Sequence, residues 1–364
     1  MKDPADTQGI SAVDQAELAN QIKRWGLELG FQKVGISGIE LEIDEARLLA
    51  WLAAGHHGCM DYMQRHGTRR SRPQELIPGS ARVISARMDY WPASAASART
   101  VLADPSLAYV SRYALGRDYH KVLRRRLQRL ANRIIEETGP MRYRVFSDSA
   151  PVLEKPLARN GGLGWIGKHT NLIDRHAGSW FFLGEIYTDL PLPPDSEGAD
   201  HCGTCSACID ACPTGAIVKP YVLDARLCIS YLTIEFRGSI PEHLRPLMGN
   251  RIFGCDDCQL VCPWNRFATD TKEPDFLPRN GLDSSDLTTF FLWTETDFLH
   301  KTAGTPLRRI GHESWLRNIA VALGNAPHSA KIIAALSKRH EHPSAIVREH
   351  VIWALARQQA QVST

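Results

Sequence analysis

Eight of the nine cysteines in this 364-residue chain fall between positions 202 and 262, and only Cys59 stands apart. The first run is Cys202-x2-Cys205-x2-Cys208-x3-Cys212-Pro213. The second is Cys228, then, 27 positions later, Cys255-x2-Cys258-x3-Cys262-Pro263. Thiolates at this spacing wrap a short loop around one cluster, while the fourth points away to a neighbouring cluster. The pattern predicts two [4Fe–4S] clusters in a ferredoxin-like module. One would take Cys202, Cys205, Cys208 and Cys262, and the other Cys212, Cys228, Cys255 and Cys258. Structural zinc is the competing chemistry, but it prefers two separated CxxC pairs in one tetrahedral site, and eight thiolates with two Cys-Pro endings fit it poorly. Paired clusters relay electrons one at a time and transform no organic substrate themselves, so another part of the chain must receive the electrons.

The elements around this module suggest where. Leu18, Ile22, Trp25 and Leu29 recur at helical spacing over residues 13 to 30, a stretch ending at Gly30. FQKVGIS, ARVISARMDYW, MRYRVFSDSAP and SWFFLGEIYTD read as strands, with helices between them. The clearest helix spans 118 to 137, with Leu123, Leu127, Leu130 and Ile134 on its core stripe and Lys121, Arg125, Arg129 and Arg133 off it. PVLEKPLARNGG predicts a Pro-started helix closed by glycines. Strands alternating with helices make the fold class α+β, with an α/β first domain. The Pro-, Asp- and Gly-rich DLPLPPDSEGAD reads as a linker, which divides the chain into 1–190, 191–270 and 271–364. In the last part, WLRNIAVALGN resembles IVREHVIWALARQ, matching Arg317 with Arg348 and Leu323 with Leu355, a weak repeat suggesting stacked helix pairs.

Composition is that of an ordinary globular protein, 43% hydrophobic and 23% charged. The N-terminus lacks an apolar signal core, and no apolar run is long enough to span a bilayer. The expectation is a cytoplasmic protein without a membrane association, whose cysteines stay reduced. Cys59 has no assigned chemistry and reads as a buried structural thiol. Net charge is +3, but residues 112 to 144 and 301 to 364 are strongly basic and the remainder is acidic. Two basic regions suit a polyanionic partner, although solvated helix faces give the same pattern.

The segments RYALGRDYHKVLRRRL, VFSDSAPVLEKPLARNGGLGWIGKHTNLI, GSWFFLGEI and CGTCSACIDACPTGAI together resemble the epoxyqueuosine reductase family, from about residue 15 to the C-terminus. The resemblance implies a nitroreductase-like cobalamin-binding domain, the two-cluster module and HEAT-like C-terminal helices. It also implies reduction of the epoxide of epoxyqueuosine, at the wobble position of tRNAs with GUN anticodons, to queuosine. Low-valent cobalt would engage the epoxide carbon, fed by the clusters from an external low-potential donor. Asp148 would be the proton donor, a role favoured by a raised pKa; a turn or N-cap role before PVLEKPL is the alternative for this residue. Cobalamin contacts would come from Arg72, Ser111, Tyr113, Asp148, Lys168, His169 and Thr170, with glycines in GGLGWIGKHTN letting the backbone approach the ligand closely. There is no DxHxxG motif, so the expectation is a base-off cofactor without ligation by a protein histidine. The basic helices would contact phosphates of the tRNA anticodon arm, and the enzyme would act as a monomer.

Three other functions share some of these features. A reductive dehalogenase would also combine cobalamin with two clusters, but Arg69-Arg70 lies too far inside the chain for a twin-Arg export signal. A plain electron-transfer protein would leave the first domain unexplained, and an RNA-binding protein with structural clusters would show no turnover.

Overall fold

The computed structural model describes residues 12–361. A four-stranded antiparallel sheet lies at the centre of the first domain, in the order Lys33–Ser37, Arg82–Asp89, Phe181–Thr188, Tyr143–Phe146. Successive residues of a strand face opposite sides, and here both sides are buried. On one side Val34, Ile36, Ile84, Ala86, Met88, Phe182 and Ile186 form a core with the helices Ala12–Glu28 and Tyr119–Thr138. The predicted stripe of Leu123, Leu127, Leu130 and Ile134 is wholly buried there. The opposite side carries Ser37, Ser85, Arg87, Asp89, Glu185 and Tyr187, all buried, and is covered in part by the short helix Glu154–Asn160. That helix lies close: a Cβ on Gly35 would fall 1.9 Å from the carbonyl oxygen of Gly161. Polar groups buried on a sheet face are costly unless they are partnered or serve a site.

The helix after the FSDSAP turn begins at Glu154 with Leu153 at its N-cap. Pro151 therefore precedes the helix rather than starting it, and Asp148 does not cap it.

The cluster module and the C-terminal helices are joined to the first domain by shared packing. Arg251–Phe253 pairs in parallel with Tyr109–Val110. Ala108, Val110, Ala114, Leu115, Ile252 and Phe253 then enter the same core as Phe290, Phe298, Trp315 and Leu323. The two segments of the weak repeat both form helices, Gly311–Asn325 and Ala345–Ala360, which pack together. Their matched positions differ in environment. Arg317 is fully buried and donates to the carbonyls of Leu232, Phe236 and Gly238. Arg348 is half-buried, and its guanidinium donates to the nearby His342 and Pro343 carbonyls.

Candidate active site and cluster module

Two groups of residues make up the candidate site: the cysteines, and a polar recess around Asp148.

None of the nine cysteines is paired in a disulfide. Cys208 rides on the short helix Ala207–Asp210 and Cys258 on Asp257–Leu260, and these two helices pack against each other. Cys202, Cys205, Cys208 and Cys262 share the wall of one cavity of about 40 Å³ with Lys168, His169, Ile173, Pro263 and Trp264. This is the first of the two predicted sets. Burial, then the neighbouring Cys262, Cys202 and Cys205, push the Cys208 thiol up to about 11. Cys258 is raised by burial and by Cys228, Asp256, Cys208 and Cys212, so it lies in the field of the second set as well as of Cys208. Thiols that raise one another become thiolates only when a cation compensates their charge, which an iron core does. Among the described residues no group of His, Cys, Asp and Glu closes in on a single ion, whereas ligands of a cubane stand apart around its faces. Cys59 is exposed, contrary to the expectation of a buried thiol. It lies on the surface with the Tyr231 hydroxyl donating to its sulfur at 3.0 Å.

Asp148 sits at the end of the strand Tyr143–Phe146, with φ +58. A left-handed conformation at a non-glycine residue is held only by its surroundings. The Asp148 N–H donates to the Glu154 carboxylate, and the Tyr119 hydroxyl donates to Asp148 Oδ2. His120 Nε2 lies 3.2 Å from that same oxygen. On the other side of the ring, His120 Nδ1 is 2.7 Å from Asp118 Oδ1, and Asp118 is in turn bonded to Arg309. Asp118 also caps the helix Tyr119–Thr138, which places Tyr119 and His120 in its first turn. Tyr119 stacks on Phe182 with ring centroids 4.0 Å apart.

These contacts correct one expectation. Burial works to raise the Asp148 pKa, but hydrogen bonds from His120 and Tyr119 and the nearby positive charge prevail, so the carboxyl lies below the ordinary carboxylate range. Burial works to lower His120, and its bonds to Asp118 and Asp148 override it, so the imidazole is raised. The exchangeable proton therefore belongs to the Asp148–His120 pair and resides mostly on the histidine.

Behind Asp148 lie two further carboxyls. Burial and the Asp148 charge push Glu154 up to about 7. Glu185 is 0% exposed on the central strand, with its carboxyl against that of Glu154; burial and Glu154 push it well above the ordinary value. Lys155 is pulled down by burial and pushed up by Asp148, Glu154 and Cys258. Its ammonium thus feels both the Asp148 group and a cluster cysteine, which ties the two halves of the site together. Asp148, 53% exposed, reaches solvent through a recess with protein on most sides.

The remaining predicted residues are more dispersed. Arg72 is on the surface, 2.8 Å from Glu45 and 3.2 Å from Glu75; the first bond leads in holding Glu45 down at about 2. Two residues earlier, Arg70 turns inward, donates to the Tyr62 carbonyl and senses Glu154 and Asp148. Ser111 donates to Asp256 at 2.6 Å, and Tyr109 does so at 2.7 Å, which fixes the loop between Cys255 and Cys258. Tyr113 packs edge-on against Tyr119 and Phe182. Lys168 donates to the carbonyls of Gly203 and Cys205, at 2.7 and 2.8 Å, and so anchors the first cysteine loop. Thr170 has φ +66 and offers its carbonyl to Lys155 at 3.0 Å. The glycines of this loop admit the chain itself rather than a ligand: a Cβ on Gly164 would fall 2.1 Å from the Ile173 carbonyl oxygen. Tyr119, His120, Glu154, Glu185 and Arg309 were not singled out from the sequence. Asp118-Tyr119-His120 opening the basic helix was the available signal.

Several buried donors have no protein partner: Nε of Arg70, Nε and Nη2 of Arg112, and Nε1 of Trp165.

Comparison with known proteins gives the family of the chain. Residues 201–265 match the family described as a 4Fe-4S double cluster binding domain, and residues 70–149 match "Epoxyqueuosine reductase QueG, DUF1730". The chain is 61% identical over 349 residues to the epoxyqueuosine reductase of Pseudomonas aeruginosa, covering 96% of each chain. It is 58% identical to that of Escherichia coli, covering 95% of this chain and 91% of the relative. The solved epoxyqueuosine reductase of Streptococcus thermophilus superposes with a TM-score of 0.84 at 26% identity, over 94% of this chain and 90% of the other. A solved epoxyqueuosine reductase bound to an epoxyqueuosine-modified tRNA-Tyr stem loop gives 0.86 at the same identity and the same coverage. The chain belongs to the epoxyqueuosine reductase family.

Proposed function

We propose that the protein reduces epoxyqueuosine in the anticodon loop of tRNA to queuosine, with Asp148 and His120 supplying a proton beside the reacting group. The observation that carries this reading is the Asp148–His120 pair, set in the same recess as Lys155, whose ammonium senses a cluster cysteine. Converting an epoxide to an alkene and water consumes two electrons and two protons. Electrons from an external low-potential donor would enter through the two clusters, held by the crossed cysteine sets. A bound cobalamin supplies the low-valent metal chemistry that carries the electron pair to the epoxide carbon. The chain's own residues do the rest. Tyr119 and His120 orient the Asp148 carboxyl, Glu154 holds its backbone, and the pair protonates the departing oxygen. The cofactor would be base-off, with Arg70, Arg112 and Trp165 carrying buried donors that the protein leaves unpartnered.

The basic helix fits an RNA phosphate contact. Arg126 pairs with Glu273 and Arg133 with Glu28, whereas Lys121, Arg125 and Arg129 are exposed and in no ion pair among the described residues. Arg124 on the same helix bonds Ser149, next to Asp148, which brings the basic surface to the mouth of the recess. In this reading the chain is a cytoplasmic monomer; among the described residues no helix is long and apolar enough to cross a membrane. It keeps the division at residues 190 and 270, a nitroreductase-like first domain and HEAT-like final helices. The test is single-turnover reduction of an epoxyqueuosine stem-loop by Asp148→Asn. A rate within threefold of wild type would remove Asp148 from the chemistry.

A further inference from the structure

His169 lies on the wall of the cavity lined by Cys202, Cys205, Cys208 and Cys262. It is 3% exposed, and its Nε2 is buried with no hydrogen-bond partner. The other ring nitrogen is committed: Nδ1 accepts the N–H of Asn171 at 3.2 Å. A neutral imidazole that accepts at Nδ1 carries its proton on Nε2. His169 therefore presents one buried N–H, and a buried donor left without an acceptor is rare. The neighbouring wall does not supply one. Ile173 and Pro263 are apolar, and the Lys168 ammonium is a donor already spent on two carbonyls. The acceptors missing from this cavity are the sulfurs of the group that the four cysteines hold.

We propose that the Nε2–H of His169 donates a hydrogen bond to a sulfur of the cluster on Cys202, Cys205, Cys208 and Cys262, and so raises the reduction potential of that cluster alone. The proposal rests on the two-cluster reading. It makes His169 a positioning and tuning residue for electron delivery rather than a contact to the corrin. Reduction adds negative charge to the cluster, and a donor aimed at its sulfurs stabilises the reduced form more than the oxidised one.

The test is a potentiometric titration, followed by electron paramagnetic resonance, of the full chain with reconstituted clusters. His169→Phe keeps a ring but removes the donor, and His169→Gln returns an N–H. The expected result is that His169→Phe makes one cluster about tenfold harder to reduce, a one-electron shift of ~59 mV downward. The other cluster would keep its potential, and His169→Gln would recover at least half the shift. If Phe crowds the cluster out, His169→Leu gives the same measurement with a smaller side chain. Unchanged potentials in the donor-free variants would overturn the proposal, as would equal shifts in both clusters. Loss of cobalamin binding with unchanged potentials would also overturn it and turn the imidazole toward the corrin. Wild-type protein that assembles only one cluster would instead defeat the two-cluster reading.

Discussion

Replacing His120 with phenylalanine removes the group that stores the proton while keeping a ring against Tyr119. In the wild type the pair shares a proton, which it holds more firmly than a free imidazole because, against burial, the bonds to Asp118 and Asp148 raise His120. Without the imidazole, Asp148 must carry the proton itself. An ordinary aspartate pKa of about 3.9 leaves roughly one site in a thousand loaded at pH 7, and burial without the imidazole raises that fraction. His120→Phe should therefore slow single-turnover reduction at pH 7 by a factor of up to about 10³, with cobalamin and both clusters in place. The loss should shrink about tenfold for each unit the pH is lowered toward the Asp148 pKa, because protonation restores the acid directly. The assay is anaerobic single turnover on an epoxyqueuosine stem-loop between pH 5 and 8, with nucleosides quantified by mass spectrometry. A loss of the same size at every pH would refute the shared-proton argument and reduce His120 to a packing residue.

Glu185 is more highly protonated in the folded state than in the unfolded chain. Its raised pKa means that stability is present at low pH and is lost as pH rises from about 4.3 toward the folded value. Glu185→Gln should accordingly unfold at higher urea than wild type at pH 8 and at the same urea near pH 4. Cys208→Ala and Cys258→Ala each remove a ligand from a different cluster, so each should lose about half the iron and the corresponding paramagnetic signal. Arg317→Met strands the carbonyls of Leu232, Phe236 and Gly238 in the core and should cost about 3–5 kcal/mol in chemical unfolding. Replacing Lys121, Arg125 and Arg129 together by alanine should weaken stem-loop binding and flatten its log-log salt slope by about 2–3. An unchanged slope would move the RNA to another face.

The cluster module was the most legible part of the chain, because ligand spacing is local: the cavity around Cys202, Cys205, Cys208 and Cys262 groups the four cysteines that the crossed pattern names. The basic helix was legible for a similar reason, its period of 3.6 fixing which residues turn to the core. The acid–base group was only half visible. Asp148 is a short side chain in a turn; its partners Tyr119 and His120 lie 29 and 28 residues before it, and Arg309, which bonds Asp118 behind them, lies far along the chain, so no local pattern connects them. HGTRRSRP offers three arginines with similar surroundings in sequence, and only the fold decides that Arg70 points inward while Arg72 pairs with Glu45. The glycines of GGLGWIGKHTN suggested an approach to a ligand, yet the same absence of a side chain lets the strand Leu172–Ile173 close against its own loop. The packing of residues 108–115 with helices near the C-terminus was also hidden, since long-range pairing of short strands leaves no periodic trace.

The central claim is most directly tested by anaerobic turnover of the reconstituted protein with cobalamin, a low-potential reductant and epoxyqueuosine-containing tRNA, the digested nucleosides being weighed by mass spectrometry. The account predicts loss of one oxygen from the modified base, dependent on cobalamin and strongly reduced in Asp148→Asn. Absence of conversion with both clusters intact and cobalamin bound would contradict it, and would point to a small-molecule reductase in place of an enzyme of tRNA modification.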